Sequence, residues 1–153
     1  MIMPQNIDAY YLIEERNSRI VLDFLEKYFG NRKELSENYP LPQYSDNPKI
    51  TFSKADKLME YLDKYSNIDY LLYWENLDDT SEMKFFTLQY TDDGKMIFGI
   101  SFRGNKPNTS KNIYFFQKFK KILKSKIGCL TIEEPPPSNS DEFVMYCNQR
   151  FSP

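Results

Sequence analysis

The segment Asp69-Tyr-Leu-Leu-Tyr-Trp-Glu-Asn76 decides the fold, together with Lys84-Phe-Phe-Thr-Leu-Gln-Tyr90 and Lys95-Met-Ile-Phe-Gly-Ile-Ser-Phe102. In each run alternate residues form two groups of side chains, as expected for a β-strand whose successive side chains point to opposite faces of a sheet. Asp92-Asp93-Gly94, between the last two runs, is typical of a tight hairpin turn with glycine in the left-handed position. The three runs therefore predict adjacent antiparallel strands on which the core forms.

Three segments outside these strands have the apolar spacing of an amphipathic helix. They cover residues 18–29, 53–65 and 109–123. Each begins at residue types that commonly accept a hydrogen bond from the first helical turn: Asn17-Ser18, Ser53 and Thr109-Ser110. We therefore expect two helices before the central strands and one after them.

Short β-prone runs account for much of the remaining chain, at residues 9–15, 50–52 and 129–132. Residues 31–49 contain three prolines and predict an irregular surface connection, and residues 141–146 predict a short closing helix or strand. The predicted order is β-α-β-α-β-β-β-α-β. It favours a single α+β domain over residues 1–153, with a mostly antiparallel sheet of about five strands and helices packed mainly on one side.

Histidine is absent from all 153 residues. This removes the commonest general base and the commonest metal ligand in proteins. Cys129 and Cys147 lack the spacing of a zinc site, and we expect them to be cytosolic thiols, although a disulfide between them stays open. We expect no catalytic residue, no metal and no other cofactor in a protein that is not an enzyme.

Charge is distributed along the chain in two blocks of opposite sign. Residues 60–93 contain nine acids and two bases, whereas residues 95–126 contain nine bases and no acid. Such blocks influence the choice of partner and the rate of association. The formal net charge of −2 gives no general attraction to nucleic acid or membrane, and no run is apolar enough for a signal or a membrane span. We expect a cytoplasmic protein without membrane contact.

Six acids at the ends of the central strands are the predicted partner-binding residues: Glu75, Asp78, Asp79, Glu82, Asp92 and Asp93. Alternatives remain for each group. Turn chemistry alone explains Asp92 and Asp93, and the pair could also act as acid and base or hold a divalent cation with Glu75. A solvated charge run explains the loop acids.

The third predicted helix offers an alternative basic surface at Lys118, Lys121 and Lys124. Lysines on one helix face can contact a phosphate backbone, which would make the chain a nucleic-acid or nucleotide-binding module. A solvated lysine face explains the same residues, and no known nucleic-acid-binding motif accompanies them. Nucleic acid is therefore not the expected partner.

Three parts of the sequence resemble bacterial immunity proteins, which bind and neutralise the toxin domains of polymorphic and contact-dependent toxin systems. They are Tyr73-Trp74-Glu75-Asn76, Tyr90-Thr91-Asp92-Asp93-Gly94 leading into Met96-Ile97-Phe98-Gly99, and Glu133-Glu134-Pro135-Pro136-Pro137. The resemblance implies a stoichiometric inhibitor whose partner is a cognate toxin. An acidic surface of this kind would suit a basic toxin cleft.

Overall fold

The central hairpin forms as predicted in the computed structural model, which describes residues 5–153. Strands β5 (Tyr70–Asn76), β6 (Met83–Tyr90) and β7 (Met96–Arg103) pair antiparallel in that order. Gly94 in the turn after β6 has a φ of 88°, a conformation that glycine adopts without a steric penalty. The Lys95 amide closes the turn by donating to the Thr91 hydroxyl at 2.8 Å.

The main sheet contains six strands, all antiparallel, and its order is β2-β5-β6-β7-β1-β8. The three further strands are β1 (Asn6–Ile13), β2 (Arg32–Glu34) and β8 (Gly128–Ile132). Strands β3 (Tyr39–Leu41) and β4 (Ile50–Phe52) form a separate two-stranded sheet. The α+β class is confirmed, but β2 and β3 lie in the connection predicted to be irregular, because three residues are too short to show alternation.

Four helices accompany the sheet: α1 (Ser18–Tyr28), α2 (Ala55–Lys64), α3 (Ser110–Ile122) and α4 (Ser140–Asn148). Asn17 and Thr109 accept hydrogen bonds from the first turns of α1 and α3, as predicted. The Ser53 cap is wrong, because α2 begins after Lys54 and no side chain of its own caps it. The Ala55 amide donates instead to the Glu34 carboxylate of β2 at 3.0 Å.

Helices α1, α2 and α3 cover one face of the sheet, which confirms the prediction that the helices lie mainly on one side. Phe24 of α1 lies 5.1 Å from the Phe86 ring, and Phe86 in turn lies 5.5 Å from the Trp74 ring and 5.0 Å from the Phe98 ring. Aromatic contacts of this kind join the helices to the three central strands. Helix α4 packs on the opposite face. Within residues 5–153, no helix is both long and apolar enough to cross a membrane.

Gly99 in β7 lies under the ring of Tyr10 of the neighbouring strand. A Cβ atom at this position would lie 2.6 Å from Tyr10 Cε1 and 3.1 Å from Thr87 Cβ. Glycine inside this strand is therefore explained by the large aromatic side chain that lies over it.

We predict that Gly99→Ala lowers the free energy of unfolding by about 1–3 kcal/mol, because the added methyl group must displace the Tyr10 ring. Urea unfolding at neutral pH measures the effect. Gly30→Ala is the matched control, because its nearest non-bonded atom is Glu26 O at 3.4 Å. Equal stability of the two variants would contradict the prediction.

Candidate partner-binding surface

The face of the sheet opposite α1, α2 and α3 is covered by α4 at one corner. Phe143 and Cys147 of α4 pack there against Tyr10, Ile97 and Cys129. The remaining positions on this face lie outside that cluster. We call them the open face, and its defining side chains are Asp8, Leu35, Tyr73, Glu75, Phe85 and Ser101.

The strand register places polar and aromatic side chains of the open face next to one another. Glu75 of β5 lies opposite Phe85 of β6. Ser101 of β7 lies opposite Phe85 on one side and Asp8 of β1 on the other. One row across four strands therefore has a carboxylate at each end, with an aromatic ring and a hydroxyl between them. Tyr73, in the next row, is 40% exposed.

Four of the six predicted acids lie together, and we call them the acidic loop: Glu75, Asp78, Asp79 and Glu82. Asp78 orders this loop by accepting hydrogen bonds from the Thr80 amide at 3.0 Å and the Thr80 hydroxyl at 2.6 Å. These bonds lower the pKa of Asp78. Glu82 lies 2.7 Å from the Lys111 ammonium, but both side chains are largely exposed, so the ion pair contributes little.

Asp92 and Asp93 contact the first turn of α4 instead. Asp92 accepts a hydrogen bond from the Asn139 side chain at 2.9 Å, and Asp93 accepts from the Ser140 amide at 3.1 Å and from the Ser140 hydroxyl. Burial raises the pKa of Asp93. The hydrogen bonds from Ser140 and Thr91 together lower this pKa by more than burial raises it, so the net shift is downward. Both carboxylates therefore help to place α4, and both are exposed.

The structure thus separates the six predicted residues into two groups. The acidic loop lies at the start of β6, and Asp92 and Asp93 lie beyond its end. Eight residues of extended chain span roughly 24 Å at about 3.4 Å per residue. A divalent cation shared by Glu75, Asp92 and Asp93 is therefore wrong on geometry. Among the residues the structure describes, no cluster of metal-ligating side chains is found.

Two cavities connect the acidic loop to the open face. One, of about 340 Å³, is lined by side chains that include Glu75, Asp79, Phe85 and Arg103. The other, of about 460 Å³, lies over Asp8 and also includes Phe85 in its lining. Because the two cavities share this ring, the acidic loop and the open face form one continuous surface.

Asp8 lies at the base of the larger cavity, and sequence reasoning did not single it out. It is 7% exposed and accepts a hydrogen bond from the Ser101 hydroxyl. Burial, and to a smaller extent the charge of Glu133, raise the pKa of Asp8 to about 6. The only signal in the sequence was an acid inside an apolar strand, between Ile7 and Ala9.

The alternative basic residues lie on the other side of the sheet, because α3 packs in the cluster that covers the opposite face. Lys118, Lys121 and Lys124 are exposed, and Tyr114, one turn before Lys118, is 69% exposed. The three lysines therefore form a surface that is separate from the open face. Lys118 and Lys121 lie on α3, but Lys124 lies two residues after its end with a φ of 54°, so the predicted helix face is shorter than expected.

No protein-family model matches the chain, and no curated protein matches its sequence. Among solved structures, the chain is similar to one chain of the crystal structure of the toxic C-terminal tip of CdiA from Pseudomonas aeruginosa in complex with immune protein. The similarity covers 99% of both chains, with 17% sequence identity and a TM-score of 0.45. That complex includes an immune protein, the class that the sequence motifs resemble.

We predict that Asp8→Asn raises stability at neutral pH and leaves it unchanged near pH 4. Below its ordinary pKa of 3.8 the Asp8 carboxyl is protonated in both folded and unfolded protein. As the pH rises, the unfolded state loses its proton first, so the wild type loses stability up to the folded pKa of about 6. A pKa difference of about two between the folded and unfolded states corresponds to about 3 kcal/mol of unfolding free energy at neutral pH.

Urea unfolding of wild type and Asp8→Asn at several pH values between about 4 and 7 measures this difference. Asp46→Asn, which removes an exposed carboxylate, is the control. A gap between Asp8→Asn and wild type that is the same at every pH would show that the ionisation of Asp8 is not the cause.

Proposed function

We propose that the chain is an immunity protein that binds a cognate bacterial toxin domain and neutralises it by stoichiometric blocking of the toxin's active site. The contact surface in this proposal is the open face together with the acidic loop. The observation that carries it is the continuity of an acidic edge with a sheet face that α4 covers at one corner only.

The open face has the composition of a protein-binding surface. Tyr73 is 40% exposed and Leu35 of the neighbouring chain segment is 46% exposed. Exposed aromatic side chains on a rigid scaffold supply much of the binding energy at protein interfaces, because they lose little conformational entropy. β-strands also hold such side chains more firmly than loops do.

The acidic loop supplies the long-range part of the interaction. Its four carboxylates face two nearby lysines. Lys84 donates to the main-chain oxygens of Ser81 and Asp79 at 2.6 and 3.4 Å, and Lys111 forms the exposed ion pair with Glu82. Lys33 opposite Glu75 and Arg103 beside Glu75 and Asp79 offset much of the remaining charge. Asp78 and Asp79 are exposed and form no ion pair among residues 5–153, so these two carboxylates attract a basic surface and accelerate association at low ionic strength. The partner in this proposal is a basic toxin cleft that meets the immunity protein in the cytoplasm.

Growth rescue tests the function directly. The proposal expects the gene beside this chain's gene to encode a large secreted protein, and the test expresses the C-terminal domain of that protein in a bacterial host alone and together with this chain. The proposal expects growth arrest by that domain alone, and rescue with a one-to-one complex on gel filtration. Growth arrest that persists on co-expression, without a complex, would overturn it.

Charge reversal tests the surface. We predict that Asp79→Lys with Glu82→Lys slows association with the toxin domain by about tenfold at low salt, and by less at about 0.15 M salt, since steering is screened. The dissociation rate should change little, because these acids lie at the rim. Stopped-flow fluorescence measures both rates.

The control for this experiment is Asp23→Lys with Glu60→Lys, which makes the same change of net charge at exposed positions of α1 and α2. Equal association rates for the two double variants would mean that net charge, and not the acidic loop, determines the rate. An association rate identical to that of wild type would remove the acidic loop from the binding surface.

A further inference from the structure

We propose that the cavity over Asp8 is an arginine pocket, in which a guanidinium group of the partner protein binds. This inference rests on the proposed function, since it identifies the side chain that the open face receives. It concerns Asp8 and the aromatic walls of the cavity, none of which belongs to the acidic loop.

The base of the pocket is a carboxylate fixed by the fold. Ser101 of β7 lies opposite Asp8 of β1 in the strand register and donates its hydroxyl hydrogen bond to Asp8 Oδ1. The backbone amide of Glu133 also stabilises the ionised form of Asp8. The carboxylate is therefore oriented by neighbours on both adjacent strands before any partner arrives.

The walls of the pocket are aromatic. Tyr10, Tyr73 and Phe85 line the cavity. Tyr10 is fixed by the hydrogen bond from its hydroxyl to Glu134 O at 2.8 Å and by an edge contact with the Tyr146 ring at 6.3 Å. Flat, weakly hydrated guanidinium groups stack on such rings and can bind a carboxylate at the same time, whereas a compact ammonium group is more strongly hydrated.

The acids at the pocket differ in their pairing, because the Glu134 carboxylate already lies 2.5 Å from the Arg150 guanidinium. Glu133 and Glu134, which follow β8, complete its edge, and Asp8 forms no ion pair with a cation among residues 5–153. Arg103 lies two residues after Ser101 but lines the adjacent cavity with Glu75 and Asp79. Within residues 5–153 no cation pairs with Asp8, so the carboxylate can accept a cationic group of a partner.

A buried carboxylate without a cation destabilises the fold, and a positive ligand would remove that cost. Burial disfavours the charged form of Asp8, as its raised pKa indicates. An arginine from the partner would favour ionisation and bring five donors to the Asp8 carboxylate and the neighbouring Glu133, since Thr131 and Arg150 already bind Glu134. Carboxylates with such perturbed pKa values are concentrated at functional sites.

The first experiment uses a small probe and needs no toxin. Heteronuclear NMR follows N-acetyl-L-arginine methylamide titrated into the full chain at about pH 7.5, with the neutral citrulline analogue and the lysine analogue as comparisons. We expect saturable shifts at Asp8, Tyr73 and Ser101 with the arginine probe, at least tenfold weaker binding of citrulline, and weaker binding of lysine. The Asp8→Asn substitution should weaken binding of the arginine probe at least tenfold, whereas Asp46→Asn should leave this binding unchanged.

The pH provides a second readout. With a pKa of about 6, Asp8 is mostly protonated at about pH 5, so arginine binding should weaken by about tenfold between about pH 7.5 and pH 5. Glu134 stays ionised over this range, because hydrogen bonds from Arg150 and Thr131 lower its pKa. Equal binding of arginine and citrulline, or tighter binding of lysine than of arginine, would overturn the pocket.

The second experiment uses the toxin domain and separates the two proposals. Asp8→Asn should increase the dissociation rate by at least tenfold and leave the association rate nearly unchanged, because a buried group acts only after contact. Tyr73→Ala should also increase the dissociation rate. Tyr114→Ala, which changes α3 on the opposite side of the sheet, should leave the dissociation rate unchanged. A tight complex with unchanged dissociation for Asp8→Asn would overturn the pocket and leave the immunity function intact. Absence of any complex would overturn the immunity function, and the probe titration would still decide the pocket.

Discussion

The structure depends on a mismatch between a wide sheet and the helices available to cover it. Six strands at about 4.8 Å spacing are roughly 24 Å wide, and three helices bury one face. The other face has α4, whose nine residues make a helix about 14 Å long. One short helix cannot cover such a face, as antiparallel sheets permit. Beyond α4 the side chains differ in exposure, because Asp8, Thr87 and Ser101 are buried whereas Tyr73 is 40% exposed.

The position of α4 determines which part of the face is uncovered, and the turn after β6 fixes that position. Asp92 and Asp93 bind the first turn of α4 through Asn139 and Ser140. The same turn is held from the other side by Arg16, whose guanidinium donates to Thr91 O at 2.5 Å and to Leu62 O of α2 at 2.6 Å. A chain of contacts thus runs from α2 through the turn to α4, and it keeps Asp8 and Tyr73 clear of the helix.

The sequence predicted what local chemistry determines and missed what depends on distant neighbours. The central strands, the caps at Asn17 and Thr109 and the glycine turn at Gly94 follow from period and turn chemistry alone. Ser53 does not cap α2 because Glu34, distant in sequence, occupies that role. Strands β2 and β3 form only because β5 and β4 are there to pair with.

The candidate site also depends on contacts between residues that are distant in sequence. Grouping acids by sequence placed Asp92 beside Asp79, but the length of β6 separates them. Asp8 lies between Ile7 and Ala9, just before the predicted first strand at residues 9–15, and this position does not show which face of a sheet its side chain occupies. Only the register between β1 and β7 shows that it faces Ser101 across a cavity lined by aromatic rings. A period-two pattern shows that two side chains share a face, but it does not show which strand lies next to them.

The acids of this surface fall into two populations that differ in physical role because they differ in solvation. Asp79 and Glu82 are surrounded by water, where a charge acts over several ångströms but contributes little in contact. Asp8 is 7% exposed, so its field is weakly screened inside the cavity and negligible far from it. In the proposed complex, the exposed acids would therefore influence the encounter with a basic partner, and the buried acid would influence how long the complex lasts. In such a complex the loop would increase the association rate. The strands would determine the specificity, because only the strands hold a charge in a fixed position against aromatic walls.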